Sequence, residues 1–136
     1  MRVLLQPQFN HNRLEYDFSG DSVQALLKLY DYVEKEVQLI EDGAPAYRNE
    51  TDEETGEVIQ IPVMHTVKEL EIVETQMDIF DFADMPNGIL DGVETTLKYN
   101  PIISAKRENG VLHLELLNFI GEDATEQEKF PDWQEV

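Results

Sequence analysis

Apolar and polar positions alternate through much of this chain, and a two-residue rhythm predicts strands. Residues 3–9 read as a first strand. Residues 13–18 alternate cleanly, with Leu14, Tyr16 and Phe18 on one face and Arg13, Glu15 and Asp17 on the other. Asn10-His11-Asn12 between them has turn chemistry, so the chain is expected to open with a hairpin. Pro7 has no amide proton, which places the second half of the first strand at a sheet edge or bulge.

From Asp21 the spacing changes. Val23, Leu26, Leu27, Tyr30, Val33, Val37 and Ile40 recur at helical intervals, and Asp21 with Gln24 supplies a start signal. An amphipathic helix over residues 22–40 is expected, stopped by Gly43 and Pro45. Residues 46–62 then carry Glu50, Asp52, Glu53, Glu54 and Glu57 around a Thr55-Gly56 turn signal, flanked by Tyr47 and by Val58, Ile59 and Ile61. A calcium loop needs ligands at alternate positions around a central glycine and a closing glutamate, which this run lacks. It reads as the solvated, negatively charged tip of a hairpin.

Residues 66–82 are rich in β-branched residues, and Met77-Asp78-Ile79-Phe80-Asp81-Phe82 alternates, so two strands with a break near Thr75-Gln76 are expected. Met85-Pro86-Asn87-Gly88 reads as a tight turn. The sharpest local signal follows. Residues 102–107 and 111–119 flank Asn109-Gly110, the favoured pair for a two-residue hairpin loop because both tolerate positive φ. The second of these strands carries Leu112, Leu114 and Leu116 on one face and Val111, Leu117 and Phe119 among the outward positions, which predicts a central, covered strand.

The expected fold is α+β and mostly β: an antiparallel sheet, as a sandwich or partly open barrel, with one amphipathic helix packed on it. Residues 1–120 would form a single β-rich domain with a helical insertion at 21–45 and an acidic hairpin at 46–62. Residues 121–136 would be an acidic C-terminal tail. That tail holds Phe130-Pro131-Asp132-Trp133. Trp133 is the only tryptophan and lies outside every predicted strand. Such an aromatic either anchors a partner or folds back over an edge of its own sheet.

Charge narrows the partners. With 29 Asp and Glu against 10 Lys and Arg the chain carries a net charge of -19, so nucleic acid and anionic membranes are repelled. It has no cysteine, hence no disulfide and no Cys-based zinc site. No apolar run approaches the roughly 18 residues of a membrane span, and residues 1–7 are too poor in apolar residues for a signal peptide, so a cytoplasmic location is expected.

Candidate chemistry is sparse. His11, His65 and His113 show neither helical zinc spacing nor a nucleophile motif, and the glycines have no phosphate-cradling pattern. Tyr16, Phe18, Phe80, Phe82 and Phe119 sit at strand spacing, which is core chemistry. With so many carboxylates, two near one another say nothing about acid-base catalysis. A deep pocket in which His65 or His113 faced a carboxylate would mark a hydrolase or lyase. The expectation is no enzyme activity, no catalytic residues, no cofactor and no metal.

Residues 1–9 with Arg13-Leu14-Glu15-Tyr16, then Phe80-Asp81-Phe82 with Met85-Pro86-Asn87-Gly88, then 100–105 and 116–121 through to Phe130-Pro131-Asp132-Trp133, resemble small acidic proteins encoded in the tail modules of phages and prophages of Gram-positive bacteria. The likeness covers about half the chain, and residues 21–76 look like an insertion relative to the shorter pattern. The resemblance implies an accessory or structural protein of tail or baseplate assembly. It would reside in the host cytoplasm or the virion and bind a protein partner, and an exposed sheet edge in a structural protein leaves a homo-oligomer open as well. Its expected partner-binding residues are Phe130, Pro131 and Trp133, with Glu50, Asp52, Glu53 and Glu54. The alternative is an acidic inhibitor that mimics nucleic acid and occupies a site on a host defence or replication protein.

Overall fold

The computed structural model describes residues 1–136, and the chain is mostly β with antiparallel sheets and little helix. Its first strands are β1 (Arg2–Phe9), β2 (Arg13–Ser19), β3 (Ser22–Gln38), β4 (Ile40–Glu41), β5 (Ala44–Pro45) and β6 (Tyr47–Thr51). They are followed by β7 (Val58–Pro62), β8 (Met64–Asp81), β9 (Gly88–Leu90), β10 (Ile102–Glu108), β11 (Val111–Ile120), the helix α1 (Glu126–Lys129) and β12 (Gln134–Glu135). Two compact units result, one of Met1–Tyr30 with Ile72–Val136 and one of Asp31–Glu71. The division falls inside β3 and β8.

In the first unit, the Asn-Gly signal does what its chemistry dictates. Asn109 and Gly110 take φ of 51° and 77°, and Glu108 pairs with Val111 across the loop. The resulting sheet has the order β12-β1-β11-β10-β9, so β11 is central. Leu112, Leu114 and Leu116 are fully buried. β1 lies parallel to β11, in register from Arg2↔His113 to Phe9↔Ile120. β12 covers only Arg2 and Val3 of β1, which leaves Pro7 on an uncovered stretch of edge where a missing amide costs nothing.

The second sheet has the order β2-β3-β8. Leu14, Val23, Leu27 and Phe80 from it, with Phe82 just beyond β8, join Val3, Leu112, Leu114, Leu116 and Phe119 from the first in one hydrophobic cluster. Each large side chain buried there contributes about 1.5–3 kcal/mol.

The expected helix over 22–40, and with it the helical insertion at 21–45, is absent: residues 22–38 are strand β3. Val23, Ala25, Leu27 and Leu29, two apart, are the buried set. Leu26 and Tyr30, half-buried on the opposite face, filled in the helical spacing. A strand with apolar residues on both faces imitates a helix in sequence. Here pairing with β2, from Ser19↔Ser22 to Arg13↔Lys28, decides the matter. The sole helix, α1, has four residues and buries none of them, so no amphipathic helix packs on a sheet.

Three smaller expectations also give way. β1 and β2 do not form a hairpin but lie in different sheets, because the link between them serves both. The Asn10 amide donates to the Ile120 carbonyl beside β1, while the Asn12 side chain accepts from the Tyr30 amide beside β2. β8 runs unbroken through Thr75-Gln76. The turn expected at Met85-Pro86-Asn87-Gly88 closes earlier, with the Met85 amide donating to the Phe82 carbonyl.

The second unit is built from short antiparallel hairpins. β4 pairs with β5 around Asp42 and Gly43, whose φ of 49° and 78° are those of a tight two-residue loop. β6 pairs with β7 from Tyr47↔Pro62 to Thr51↔Val58. Three backbone bonds close a ring: Leu39 donates to Val63, Val63 to Ala46, and Ala46 to Leu39, at 2.7, 3.0 and 2.7 Å. None of residues 31–71 is buried.

Candidate functional site

Strand alternation sends Val3, Ala105, Leu112 and Leu114 into the core of the first unit, so Arg2, Lys106 and His113 face the other way. The pairing register then lines them up. Arg2 stands opposite His113 across β1 and β11, and Lys106 stands opposite His113 across β10 and β11. The next row along β11 holds Glu115, with Leu4 and Ser104 as its strand partners. In a chain with only 10 Lys and Arg, two of them flank one of its three histidines.

Trp133 is brought to this row by β12. Gln134 pairs with Val3, Glu135 pairs with Arg2, and the Val136 amide donates to the Met1 carbonyl at 3.0 Å. The indole meets the His113 ring edge to face, with centroids 5.7 Å apart and planes at 76°. Arg2, Ser104, Lys106, Glu108, His113, Glu115 and Trp133 line a cleft of about 340 Å³. Lys106 Nζ is 3.3 Å from Glu108 Oε2, while Arg2 and Glu115 form no ion pair. His113 Nδ1 lies 3.0 Å from the Val111 carbonyl of its own strand. The imidazole shares the cleft with Glu108 and Glu115 and makes no hydrogen bond to either carboxylate.

The expected partner-binding residues fall in both units. Phe130 follows α1, whose capping box between Thr125 and Glu128 fixes its start, and it is 73% exposed. Pro131 lines a smaller recess of about 120 Å³ with Leu5, Asn118 and Gln134. Glu50, Asp52, Glu53 and Glu54 are exposed at the β6–β7 hairpin of the second unit. There the Asp52 carboxylate accepts from the Glu54 amide at 2.8 Å, and Arg48 lies 2.9 Å from Glu50. No group of three or more His, Asp or Glu side chains is arranged to hold a metal ion.

Perturbed titrations lie away from the cleft. Burial pushes the Tyr16 phenol well above its ordinary value of 10.0. Hydrogen bonds from Thr95, and from the Thr96 and Ile79 amides, hold Asp78 below the usual carboxylate range. Hydrogen bonds to Glu71 and Glu69 raise Lys35.

Of the cleft residues, sequence reasoning singled out Trp133 as a site residue and left His113 as a packing or solvated histidine. Arg2, Ser104, Lys106, Glu108 and Glu115 are outward positions of ordinary alternating strands. The β10–β11 hairpin sets Ser104, Lys106 and Glu108 beside His113 and Glu115, and the parallel register of β1 on β11 adds Arg2, a pairing that nothing local in the sequence announces. Comparison with protein-family models, curated proteins and solved structures finds no match to this chain.

Proposed function

We propose that this chain is a non-enzymatic accessory protein of a phage or prophage tail or baseplate, acting through protein-protein contacts. In this reading the two sheets of the first unit form a sandwich that serves as scaffold, and the second unit is the contact element. The observation that carries it is the exposure of apolar side chains on residues 31–71. Tyr32, Ile40, Tyr47, Val58 and Ile59 are at least half exposed, and no side chain around them is buried. Ordering such a segment costs about 1–2 kcal/mol of backbone entropy per residue, and without a core only a covering partner offsets it. The same residues carry 12 carboxylates against three Lys and Arg. The complementary partner is therefore an apolar surface with a basic rim, and self-association through this unit is opposed by like charge.

The test is a pull-down from prophage-induced cells with the full chain beside a Val58→Ser, Ile59→Ser variant, washed at low and high salt. A tail or baseplate protein retained at high salt by the parent and lost by the variant supports the proposal. Equal retention by both overturns the contact element.

A second reading, an acidic nucleic-acid mimic that inhibits a host protein, draws on the exposed cluster of Glu50, Asp52, Glu53 and Glu54. It requires capture of a host nucleic-acid enzyme at low salt and its release at high salt, because screening removes the attraction.

A further inference from the structure

The cleft beside Trp133 differs in kind from the rest of this acidic surface. Its charges balance, with Arg2 and Lys106 against Glu108 and Glu115, and His113 and Ser104 between them. Lys106 and Glu108 occupy one another. Arg2 and Glu115 are left as an unpaired donor and an unpaired acceptor in adjacent rows. An anion entering here meets the field of a chain at -19, and a cation finds a denser carboxylate cluster between residues 50 and 57. The ligand that gains most is neutral, offers donors and acceptors side by side, and has an apolar face for the indole.

Dimensions agree with that chemistry. Strand spacing places Arg2 and Lys106, one on each side of β11, about 10 Å apart, and the row of Glu115 lies about 7 Å along the strand from that of His113. The volume of about 340 Å³ is at the small end for ligand sites, which run from about 300 to 1,000 Å³.

We propose that this cleft is a saccharide subsite holding one or two pyranose rings of a neutral glycan. The apolar C–H face of the sugar lies on Trp133. Each hydroxyl, being donor and acceptor at once, bridges Arg2 or Lys106 on one side and Glu115 or Ser104 on the other. The β12 strand, pinned to Arg2 and Val3, holds the indole in place without help from the ligand.

Because Trp133 is the only tryptophan, emission excited beyond the absorption of the five tyrosines reports on this cleft alone. The full chain is titrated with maltose, lactose and diacetylchitobiose, with glucuronate and phosphocholine as charged controls, and the His113 ring signals are followed by NMR as a second reporter. The expected result is a saturable change in both reporters with at least one neutral disaccharide. Arg2→Ala and Glu115→Gln should each weaken it about tenfold, the loss of one good hydrogen bond to a charged group. Dispersion of the backbone amide spectrum confirms that each variant is folded. Saturation by glucuronate or phosphocholine alone, no saturation by any sugar, or undiminished binding to folded Arg2→Ala would each overturn the proposal.

Discussion

The side-chain oxygen of Asn12 accepts the backbone amide of Tyr30 at 2.8 Å, and the neighbouring His11 ring meets the Tyr30 carbonyl at 3.0 Å. Two side chains thus stand in for a strand residue just before the Arg13↔Lys28 pair, where β2 begins. Asn12 is the one buried polar residue of the chain. Asn12→Ala strands a backbone amide at the end of the ladder and should lower stability by about 1–3 kcal/mol. Urea unfolding of the variant measures it, and a change under 0.5 kcal/mol would remove this cap from the account.

Arg107 acts as a clasp between the two sheets of the first unit. Its Nη2 donates to the Phe82 carbonyl at 2.7 Å and to Asp21 Oδ2 at 3.0 Å, and Nη1 donates to the Gly110 carbonyl. An ammonium cannot reproduce that fork. Arg107→Lys should therefore destabilise by about 1–3 kcal/mol despite keeping the charge, and Asp21→Asn, which spares the carbonyl contacts, by less.

Tyr16 donates its hydroxyl to the Leu117 carbonyl while its ring is largely buried. Its phenol is raised in the folded state. The stability this represents is complete below the ordinary value of 10.0 and is lost as pH rises above it toward the folded value. Alkaline unfolding should begin above about pH 10 and be displaced in Tyr16→Phe, which has no phenol to ionise. At neutral pH the same variant should lose about 1 kcal/mol for the missing hydrogen bond.

Asp78 shows the opposite sign. The Thr95 hydroxyl donates to its Oδ2 at 2.8 Å, tying residues 95–97 to β8. Because the folded-state value is depressed, the contribution is present above the ordinary 3.8 and vanishes as pH falls through the folded value. Thr95→Val should flatten the acid limb of the stability profile, and an unchanged profile would show that the contact contributes nothing in solution.

Amide exchange should divide the chain. Leu112, Leu114 and Leu116 sit in the central strand of the core and should exchange only through global opening, whereas residues 47–62 should be the fastest. Addition of a partner that covers the second unit would slow those amides selectively.

How far the sequence was readable depended on how local each signal was. The β10–β11 hairpin was legible because Asn109-Gly110 sits between two alternating runs. Asp42-Gly43 carries equivalent turn chemistry between Ile40 and Pro45, but after a run at helical spacing Gly43 and Pro45 are equally the stop signals of a helix. β3 imitates a helix in sequence because Leu26 and Tyr30 put apolar residues on both its faces. The mostly β character followed from alternation; the division into two units and the parallel β1–β11 pair did not, since both depend on contacts between distant segments. At the cleft, the isolation of Trp133 in the sequence was informative. Its neighbours were invisible until register placed them.

That parallel pair also sets an order of events during synthesis. Every partner of β1, on β11 and on β12, lies more than a hundred residues downstream. β1 therefore leaves the ribosome before anything it pairs with and stays an open edge until β11 follows, while β2 with β3, and β6 with β7, can close as soon as they emerge. At a typical elongation rate of about 5–20 residues per second, that leaves β1 exposed for several seconds. An apolar run of Val3, Leu4 and Leu5 uncovered for so long is the natural substrate of a holdase chaperone, and ribosome-bound nascent chains that end before Val111 are where such a capture would be seen.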